Sequence, residues 1–276
     1  MLDNYEYLKE EFYNMTNINL NAYKERQMKR RIEAFIDRQN FSDKIDIKQY
    51  KVENKTPYRF FVKELKNDSE LLDEFINHLT INVSEFFRNP QQWEELRDNI
   101  IPYLFDTFGR TLKIWSSACS TGDEPYSLVL LLSEFLPLSK IHIYASDVDD
   151  QVMEKAKLGI YNIKSLKEVP KKLLTKYFIK INENTYQISD EIKECVTFKK
   201  LDLLKDNYIN KCNFIICRNV LIYFTEEAKD EIYKKFNESL VDNGILFVGS
   251  TEQIIHAQKY KLKSHKSFFY KKIGSI

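Results

Sequence analysis

The first third of the chain alternates hydrophobic and polar residues with the period of an α-helix. Residues 21–38 bring five apolar side chains near one face of such a helix, namely Tyr23, Met28, Ile32, Phe35 and Ile36. The same spacing recurs over residues 57–65, and again over residues 71–79 after Ser69 as the predicted cap. The pattern therefore predicts an all-helical N-terminal region.

From about residue 110 onward, short β-rich runs alternate with longer helical patterns. The predicted strands are residues 112–118, 141–146, 196–199, 214–217, 245–248 and the tail around 268–272. The predicted helices are residues 124–135, 149–157, 225–240 and part of 253–258. This alternation is typical of an α/β domain whose mainly parallel sheet is covered by helices on both faces.

Residues 165–194 fit this alternation poorly. They contain Pro170 and two short β-like runs, residues 177–181 and 185–188, separated by the turn-rich residues 182–184. We interpret the stretch as a small insertion that contains a hairpin.

The charge balance excludes one broad class of partner. The chain has 276 residues, and 42 Lys and Arg stand against 41 Asp and Glu. A net charge of +1 argues against a general nucleic-acid binder, which would normally be basic overall. The apolar runs are too short for a transmembrane helix, and the acidic, polar start does not resemble a secretory signal.

The cysteines predict reduced thiols and no metal centre. None of the four, which are Cys119, Cys195, Cys212 and Cys217, belongs to a CxxC pair. The four histidines do not cluster near them, so the spacing that a zinc site needs is missing. We therefore expect core thiols of a cytoplasmic protein.

The first candidate site is a turn of small residues between a predicted strand and a predicted helix. Residues 118–122 form the turn, Asp123 and Glu124 follow it, and Pro125 suits the start of a helix. Two carboxylates at this position are unfavourable for binding phosphate, but they suit a ligand with hydroxyls or positive charge. An ordinary turn whose acids favour the helix dipole is an equal alternative.

The second candidate is Asp147, which ends the next predicted strand. An acid at this place typically accepts hydrogen bonds from a ribose. Since the chain lacks a GxGxxG motif here, a nucleoside without pyrophosphate, such as S-adenosylmethionine, fits better than a dinucleotide. The alternative is that Asp147 caps the following helix.

Two further segments carry candidate polar residues. An apolar strand over residues 213–217 is followed by Arg218, Asn219 and then Tyr223, with a structural salt bridge as the alternative role of Arg218. Residues 82–88 alternate polar and aromatic side chains between the helical and α/β regions, where small-molecule sites are frequent. A packed interdomain linker is the alternative there.

Taken in this order, the segments resemble the chemotaxis receptor methyltransferase (CheR) family. The likeness covers nearly the whole chain: a basic N-terminal helix, the FFR linker, ACSTGDEPYS, ASDVDDQVMEKAKLGIY, CRNVLIYF and GSTE. It implies an enzyme that uses S-adenosylmethionine to methylate glutamate side chains of chemoreceptors and releases S-adenosylhomocysteine. The implied fold is a Rossmann-like methyltransferase domain with a small antiparallel β insertion, preceded by an all-helical N-terminal domain.

The resemblance also implies a division of the chain. Residues 1–80 would form a helical receptor-recognition domain, residues 81–92 a linker that contributes to the active site, and residues 93–276 the methyltransferase domain with its insertion at 165–194. In some relatives the insertion docks on a peptide at the receptor's end. Here the hairpin turn is short and lacks the glycines of peptide-binding relatives, so such tethering is not expected.

Individual roles follow from the same likeness. The implied catalytic residues are Arg88 and Tyr223. The implied cofactor-binding residues are Asn82, Ser84, Arg88, Glu124, Asp147, Asp202, Leu203, Arg218 and Asn219. The basic helix face that would meet acidic receptor helices consists of Lys24, Lys29, Arg30 and Arg31. Asp123 replaces the first acid of the family's GEEP turn and is expected to matter less, and the resemblance assigns no role to Glu252.

The implied reaction agrees with the residues present. A glutamate carboxylate is already ionised at neutral pH, so no general base is needed. The enzyme's task is to align the reactants in a dry site. We expect a cytoplasmic monomer that binds chemoreceptor helices, does not bind nucleic acid and does not insert directly into the membrane.

Two other classes of function stay open. One is a methyltransferase that acts on nucleic acid or a small molecule, although the chain has RNVLIY where nucleic-acid amino-methylating enzymes commonly carry an NPPY-like motif. The other is a degenerate S-adenosylmethionine-binding sensor or scaffold, against which the presence of Arg88 and Tyr223 argues.

Overall fold

The computed structural model describes residues 4–39, 57–80 and 84–274. The chain divides into two compact units. The helical unit consists of Met1–Ile81 together with Tyr223–Ala228, and the sheet unit consists of Asn82–Ile222 and Lys229–Ile276. Among the described residues, no helix is long and apolar enough to cross a membrane.

The helical unit contains four described helices around an aromatic core. They are α1 (Asn4–Thr16), α2 (Glu25–Arg38), α3 (Pro57–Asn67) and α4 (Ser69–Leu79). The ring of Phe75 meets that of Phe61 edge-on at 4.8 Å and that of Phe12 at 5.4 Å. Such edge-to-face pairs add to the stability that apolar burial supplies.

The predicted apolar face of α2 is confirmed, but its start is not. Met28, Ile32, Phe35 and Ile36 are all buried. The helix begins at Glu25 instead of residue 21, because Leu20–Ala22 form a separate 3₁₀ turn after which Tyr23 is extended. Tyr23 instead forms an isolated antiparallel bridge with Phe224.

The cap of α4 also differs from the prediction. The N-cap is Asp68, whose side chain accepts a hydrogen bond from the backbone N–H of Leu71 at 3.0 Å. Ser69 is the first residue of the helix. A carboxylate one residue upstream had the better geometry to satisfy an otherwise unpaired helix donor.

The sheet unit is built on a seven-stranded sheet with a small second sheet beside it. The main strands are β1 (Ile114–Ser116), β2 (Ile143–Asp147), β6 (Val196–Lys200), β7 (Cys212–Cys217), β8 (Leu240–Val248), β9 (Leu262–Lys266) and β10 (Phe269–Lys272). The small strands are β3 (Ile160–Asn162), β4 (Phe178–Asn182) and β5 (Thr185–Ile188). The helices are α5 (Pro90–Glu95), α6 (Ile101–Phe108), α7 (Asp123–Leu132), α8 (Asp150–Leu158), α9 (Lys171–Tyr177), α10 (Asp190–Lys193) and α11 (Glu226–Ser239).

The main sheet has the order β6-β2-β1-β7-β8-β10-β9. The first five strands run parallel, and β10 pairs antiparallel with both β8 and β9. Every residue of β1 is buried, as expected of a central strand covered on both faces. The strand order reverses between β1 and β7, which makes the carboxyl edge there a favoured ligand position.

The small sheet confirms the predicted hairpin and adds one strand to it. Its order is β3-β5-β4, entirely antiparallel. The extra strand, β3, lies upstream of the predicted range 165–194.

Two predictions near the C-terminus were incomplete or wrong. The lysine-rich strand β9 was not foreseen, because its exposed polar positions lack the apolar content by which buried strands are recognised. The predicted helix within residues 253–258 is wrong, because the chain there forms only a 3₁₀ turn at Ala257–Tyr260.

The cap of α4 generates a first prediction. Replacing Asp68 with alanine should lower the free energy of unfolding by about 1 kcal/mol, because the N–H of Leu71 loses its acceptor. Replacing the neighbouring Ser69 with alanine should change it by less than about 0.5 kcal/mol. Urea unfolding of the full chain, followed by circular dichroism, measures both, and a larger loss for Ser69→Ala would reverse the assignment.

Candidate functional site

The candidate residues of the sheet unit lie where five neighbouring parallel strands end. The turn before α7 follows β1, Asp147 ends β2, and Asp202 follows β6. Arg218 and Asn219 follow β7, and the GSTE segment at residues 249–252 follows β8. Because parallel strands end at one edge, residues more than 100 positions apart in sequence, such as those of the turn at 118–122 and Glu252, come to the same edge.

The turn after β1 requires a glycine. Gly122 has a φ of 87°, and a Cβ placed on it would lie 2.9 Å from the Cβ of Ala156 and 3.1 Å from the hydroxyl of Tyr161. Such a contact is too short for a carbon side chain. The Tyr161 hydroxyl donates to the carbonyl of Thr121 at 2.8 Å, so the small sheet supports this turn directly.

Asp147 is a buried acid bound to the backbone of that turn. The N–H of Ser120 donates to its Oδ2 at 2.8 Å, and the N–H of Asp149 donates to its Oδ1 at 3.2 Å. Burial raises the pKa of Asp147 to about 6, although these backbone hydrogen bonds act against the shift.

The capping alternative for this acid is wrong. Asp149, and not Asp147, caps α8, since its carboxylate accepts from the N–H groups of Gln151 at 2.9 Å and Val152 at 3.4 Å.

Glu124 and Arg218 form the charged pair of the edge. The Ser116 hydroxyl donates to Oε1 of Glu124 at 2.7 Å, and Nη1 of Arg218 lies 3.7 Å from its Oε2. Burial raises the pKa of Glu124, and the Arg218 charge opposes this. Burial likewise lowers the pKa of Arg218, against the effect of Glu124.

Arg218 also has a structural role. Its Nη2 donates to the carbonyl of Arg88 at 2.8 Å, to Oδ1 of Asn89 at 3.1 Å and to Oε1 of Gln92 at 2.7 Å. The guanidinium lies 4.7 Å from the ring centre of Phe247. The pairing of Arg218 with Glu124 is the salt bridge that the sequence left open as an alternative, and the three bonds to neutral oxygens come in addition to it.

The FFR segment is packed on the sheet unit. The N–H of Phe87 donates to the Ser127 hydroxyl at 2.9 Å, and the N–H of Phe86 donates to the carbonyl of Ser165 at 3.1 Å. The ring of Phe86 meets that of Tyr161 edge-on at 4.8 Å. This packing presents Arg88 at the carboxyl edge with a half-buried side chain.

Asp123 is a residue whose importance the sequence understated. It is 1% exposed, and the Thr121 hydroxyl donates to its Oδ2 at 2.6 Å. The Ser84 hydroxyl also hydrogen-bonds to it, so Asp123 joins the linker to the turn. Burial raises the pKa of Asp123, and both hydroxyls act against the shift. Asp123 thus connects Ser84 of the linker to the turn before α7, a contact that the sequence did not show.

Asp202 and Leu203 begin the turn after β6. Oδ1 of Asp202 accepts from the N–H of Leu204 at 2.8 Å, which orders the turn from within. The carbonyl of Leu203 accepts from the Tyr208 hydroxyl at 2.6 Å, and Lys235 Nζ donates to the carbonyl of Leu204 at 2.8 Å.

The remaining candidates belong to the helical unit or lie outside the described residues. Asn82 is outside them. The carbonyl of Tyr223 accepts from the N–H of Lys24 at 2.9 Å, and the Tyr223 side chain is an electrostatic neighbour of Arg31.

The basic residues predicted for the face of α2 differ in their contacts and in their exposure. Arg31 donates to the carbonyl of His78 and thereby ties α2 to α4. Lys29 pairs with Glu25 at 2.6 Å. Of the four predicted residues, Arg30 has the exposed side chain, and the neighbouring Arg26, which the sequence analysis did not single out, is exposed as well.

A comparison with protein families agrees with this geometry. The family profile described as "CheR methyltransferase, SAM binding domain" matches residues 82–269. The chain belongs to the CheR methyltransferase family. Residues 82–269 are accordingly its S-adenosylmethionine-binding domain, and they contain every candidate of the sheet unit.

Curated relatives resemble the CheR chain over most of its length. The Chemotaxis protein methyltransferase of Listeria innocua is 39% identical over 253 residues, which cover 92% of this chain and 91% of the relative. That of Listeria monocytogenes is 38% identical with the same coverage. Among solved structures, PKMT2 from Rickettsia typhi in complex with AdoHcy shares 21% identity at a TM-score of 0.33, over 50% of this chain and 21% of that one.

The donor set suits S-adenosylmethionine. The edge offers buried carboxylates at Glu124 and Asp147, and burial raises the pKa of each despite the hydrogen bonds that each accepts. The first turn of α7 carries two acids, which disfavours phosphate there. Within the described part of the chain, no group of three or more His, Cys, Asp or Glu side chains could hold a metal ion.

The pKa of Asp147 generates a second prediction. A carboxyl with a pKa of about 6 is ionised at about pH 7.5 and mostly protonated at about pH 5. If the ionised form binds the ribose, the affinity for S-adenosylmethionine should fall as the pH is lowered through 6. Calorimetric titrations across this range measure it.

The matched variant is Asp147→Asn. We expect weaker binding at neutral pH and a smaller pH dependence, with a residual slope from Glu124, whose pKa is also raised. An unchanged affinity in this variant would exclude ribose recognition by Asp147.

Proposed function

We propose that this protein transfers a methyl group from S-adenosylmethionine to glutamate side chains on the cytoplasmic helices of chemoreceptors. The products would be glutamate methyl esters and S-adenosylhomocysteine. The observation that carries the proposal is that buried acids lie at one edge of a CheR-family domain, where Arg218 also binds the carbonyl of Arg88 in the FFR segment. The acids suit a cationic methyl donor, and Arg88 suits an anionic acceptor.

The reaction requires the enzyme to align the methyl donor and the receptor carboxylate more than to activate either of them. When bound, S-adenosylmethionine supplies a methyl group on a positively charged sulfur. A receptor glutamate is ionised at neutral pH, so the protein has no proton to remove. Burial raises the pKa of the Cys119 and Cys217 thiols well above the usual range, so these two cysteines stay neutral and are unsuited as nucleophiles.

Arg88 would hold the receptor carboxylate. Its main chain is fixed on two sides, because its carbonyl accepts from Nη2 of Arg218 and from the indole N–H of Trp93 at 3.1 Å. A guanidinium on a fixed backbone can bind a carboxylate in a defined orientation. We retain Tyr223 as the second proposed catalytic residue, for a hydrogen bond to that carboxylate.

The proposed cofactor contacts divide among the strand ends. Asp147 would bind the ribose, and Asp202 and Leu203 would border the adenine. The remainder of the cofactor would be surrounded by Ser84, Glu124, Arg218 and Asn219, together with Asn82. Arg88 would contact both the cofactor and the acceptor carboxylate of the receptor.

Receptor recognition is proposed for the helical region, residues 1–80, with residues 81–92 as the linker and 93–276 as the catalytic domain. Lys24, Lys29, Arg30 and Arg31 would face acidic receptor helices. The exposure of Arg30 favours this role, whereas the bond of Arg31 to the His78 carbonyl leaves it less available. A protein with this substrate would act in the cytoplasm, and we propose that it does so as a monomer.

A transfer assay tests the proposal. Purified protein, labelled S-adenosylmethionine and receptor cytoplasmic fragments should give labelled receptor whose label is released as methanol by mild alkali, as expected of an ester. Fragments with glutamine in place of the acceptor glutamates should stay unlabelled. Fragments without their C-terminal tail should be methylated equally well. Label in nucleic acid, or none in any receptor fragment, would contradict the proposal.

Arg88 provides the sharpest residue test. Arg88→Ala should reduce methyl transfer by about a hundredfold or more, because the acceptor carboxylate loses its anchor. Cofactor affinity should stay largely intact, since the acids of the edge are unchanged. Arg97→Ala, which removes an exposed arginine paired with Asp98 in the same unit, is the matched control and should leave both properties unaffected. Normal methylation by Arg88→Ala would refute the assigned role.

A further inference from the structure

Glu252 binds four backbone N–H groups at the carboxyl edge. Its Oε1 accepts from Leu221 at 2.7 Å and from Ile222 at 3.3 Å. Its Oε2 accepts from Asn219 at 2.6 Å and from Gly249 at 2.8 Å. The residue is 5% exposed. All four acceptor positions of the carboxylate are therefore used by main-chain donors.

These bonds join the ends of two neighbouring strands. Three of the donors follow β7, within the segment 219–222, and the fourth, Gly249, directly follows β8. Asn219 has a φ of 60°, a left-handed conformation that is uncommon for a residue other than glycine. Its N–H makes the shortest of the four bonds, so the carboxylate directly stabilises this backbone conformation.

The close approach also depends on Gly249. A Cβ on Gly249 would overlap Oε2 of Glu252 and would lie 2.9 Å from the backbone nitrogen of Asn219. The glycine thus leaves room for the carboxylate, and the carboxylate orders the segment after β7. The two residues form one arrangement in the GSTE segment.

The same carboxylate acts on the buried arginine next to this segment. Burial lowers the pKa of Arg218, and the charges of both Glu124 and Glu252 act against that effect. Nε of Arg218 has no hydrogen-bond partner within the described residues, so nearby negative charge matters for keeping this cation buried.

We propose that Glu252 is a positioning residue for the cofactor edge. It fixes the conformation of residues 219–222 and supports the charge of Arg218, and it acts on the reaction only through them. Its carboxylate has no acceptor position left for a reactant, which separates it from the catalytic residues. The inference rests on the proposed function only where the test measures KM and kcat/KM with a receptor fragment.

The test compares Glu252→Gln with the native protein. An amide cannot accept from all four donors, because its NH₂ group faces two of the N–H groups that the carboxylate bound. We expect affinity for S-adenosylhomocysteine, measured by calorimetry, to fall about tenfold or more. Hydrogen exchange should accelerate in residues 219–222 more than in β1 or β2. The KM for a receptor fragment should be unchanged while kcat/KM for the cofactor falls.

Three further variants keep the test decisive. Gly249→Ala disturbs the same arrangement without removing an acceptor, and it should lower affinity in the same direction. Gln253→Ala changes an exposed neighbour and is the matched control. If Glu252→Gln does not fold, Glu252→Asp and Gly249→Ala decide the question.

The proposal is overturned if the folded variants bind the cofactor as tightly as the native protein, even when their melting temperature is lower. It is equally overturned if exchange accelerates uniformly across the sheet. Binding and exchange need no receptor, so a failure of the glutamate methylation assay leaves this result separately interpretable.

Discussion

The burial of the Arg218 guanidinium is the constraint around which the carboxyl edge is organised. Removing such a group from water costs several kcal/mol, and a single distant partner cannot offset that. The structure supplies a carboxylate at 3.7 Å, three oxygen acceptors from residues 88–92 and an aromatic face. Because those acceptors belong to residues 88–92, the guanidinium that they stabilise also fixes the backbone of Arg88. The contacts of Arg218 thus both stabilise its buried charge and position the backbone of Arg88.

Burial of the acids at the carboxyl edge lowers the folding stability of the protein when these acids are ionised. The folded pKa of Asp147, about 6, exceeds its ordinary value of 3.8, so its ionisation lowers folding stability as the pH rises between these values. Glu124 and Asp123 are shifted in the same direction by burial. A ligand that brings hydroxyls and a positive charge relieves this penalty. The burial that disfavours the ionised carboxylates would therefore also contribute to the affinity for such a ligand.

Much of this site was predictable because parallel strands end together. The strands before Asp147 and Arg218 are apolar runs, and a polar residue at the end of each is visible in the sequence. The roles of Asp123 and Glu252 were not visible, because they depend on contacts with residues about 30 or more positions away. The capping alternative for Asp147 was wrong for a related reason, since local sequence does not say which of two acids caps the helix. The short β3 was missed because it is stabilised by β5, which follows much later.

The small sheet contacts both the turn before α7 and the linker. The Tyr161 hydroxyl of β3 donates to the Thr121 carbonyl, and the same ring packs against Phe86 of the linker. Phe178, on another strand of that sheet, contacts Phe86 from 5.5 Å. A turn of small residues cannot order itself by side-chain packing, so it depends on neighbours of this kind. The position of the turn and that of the FFR segment therefore both depend on the packing of the small sheet.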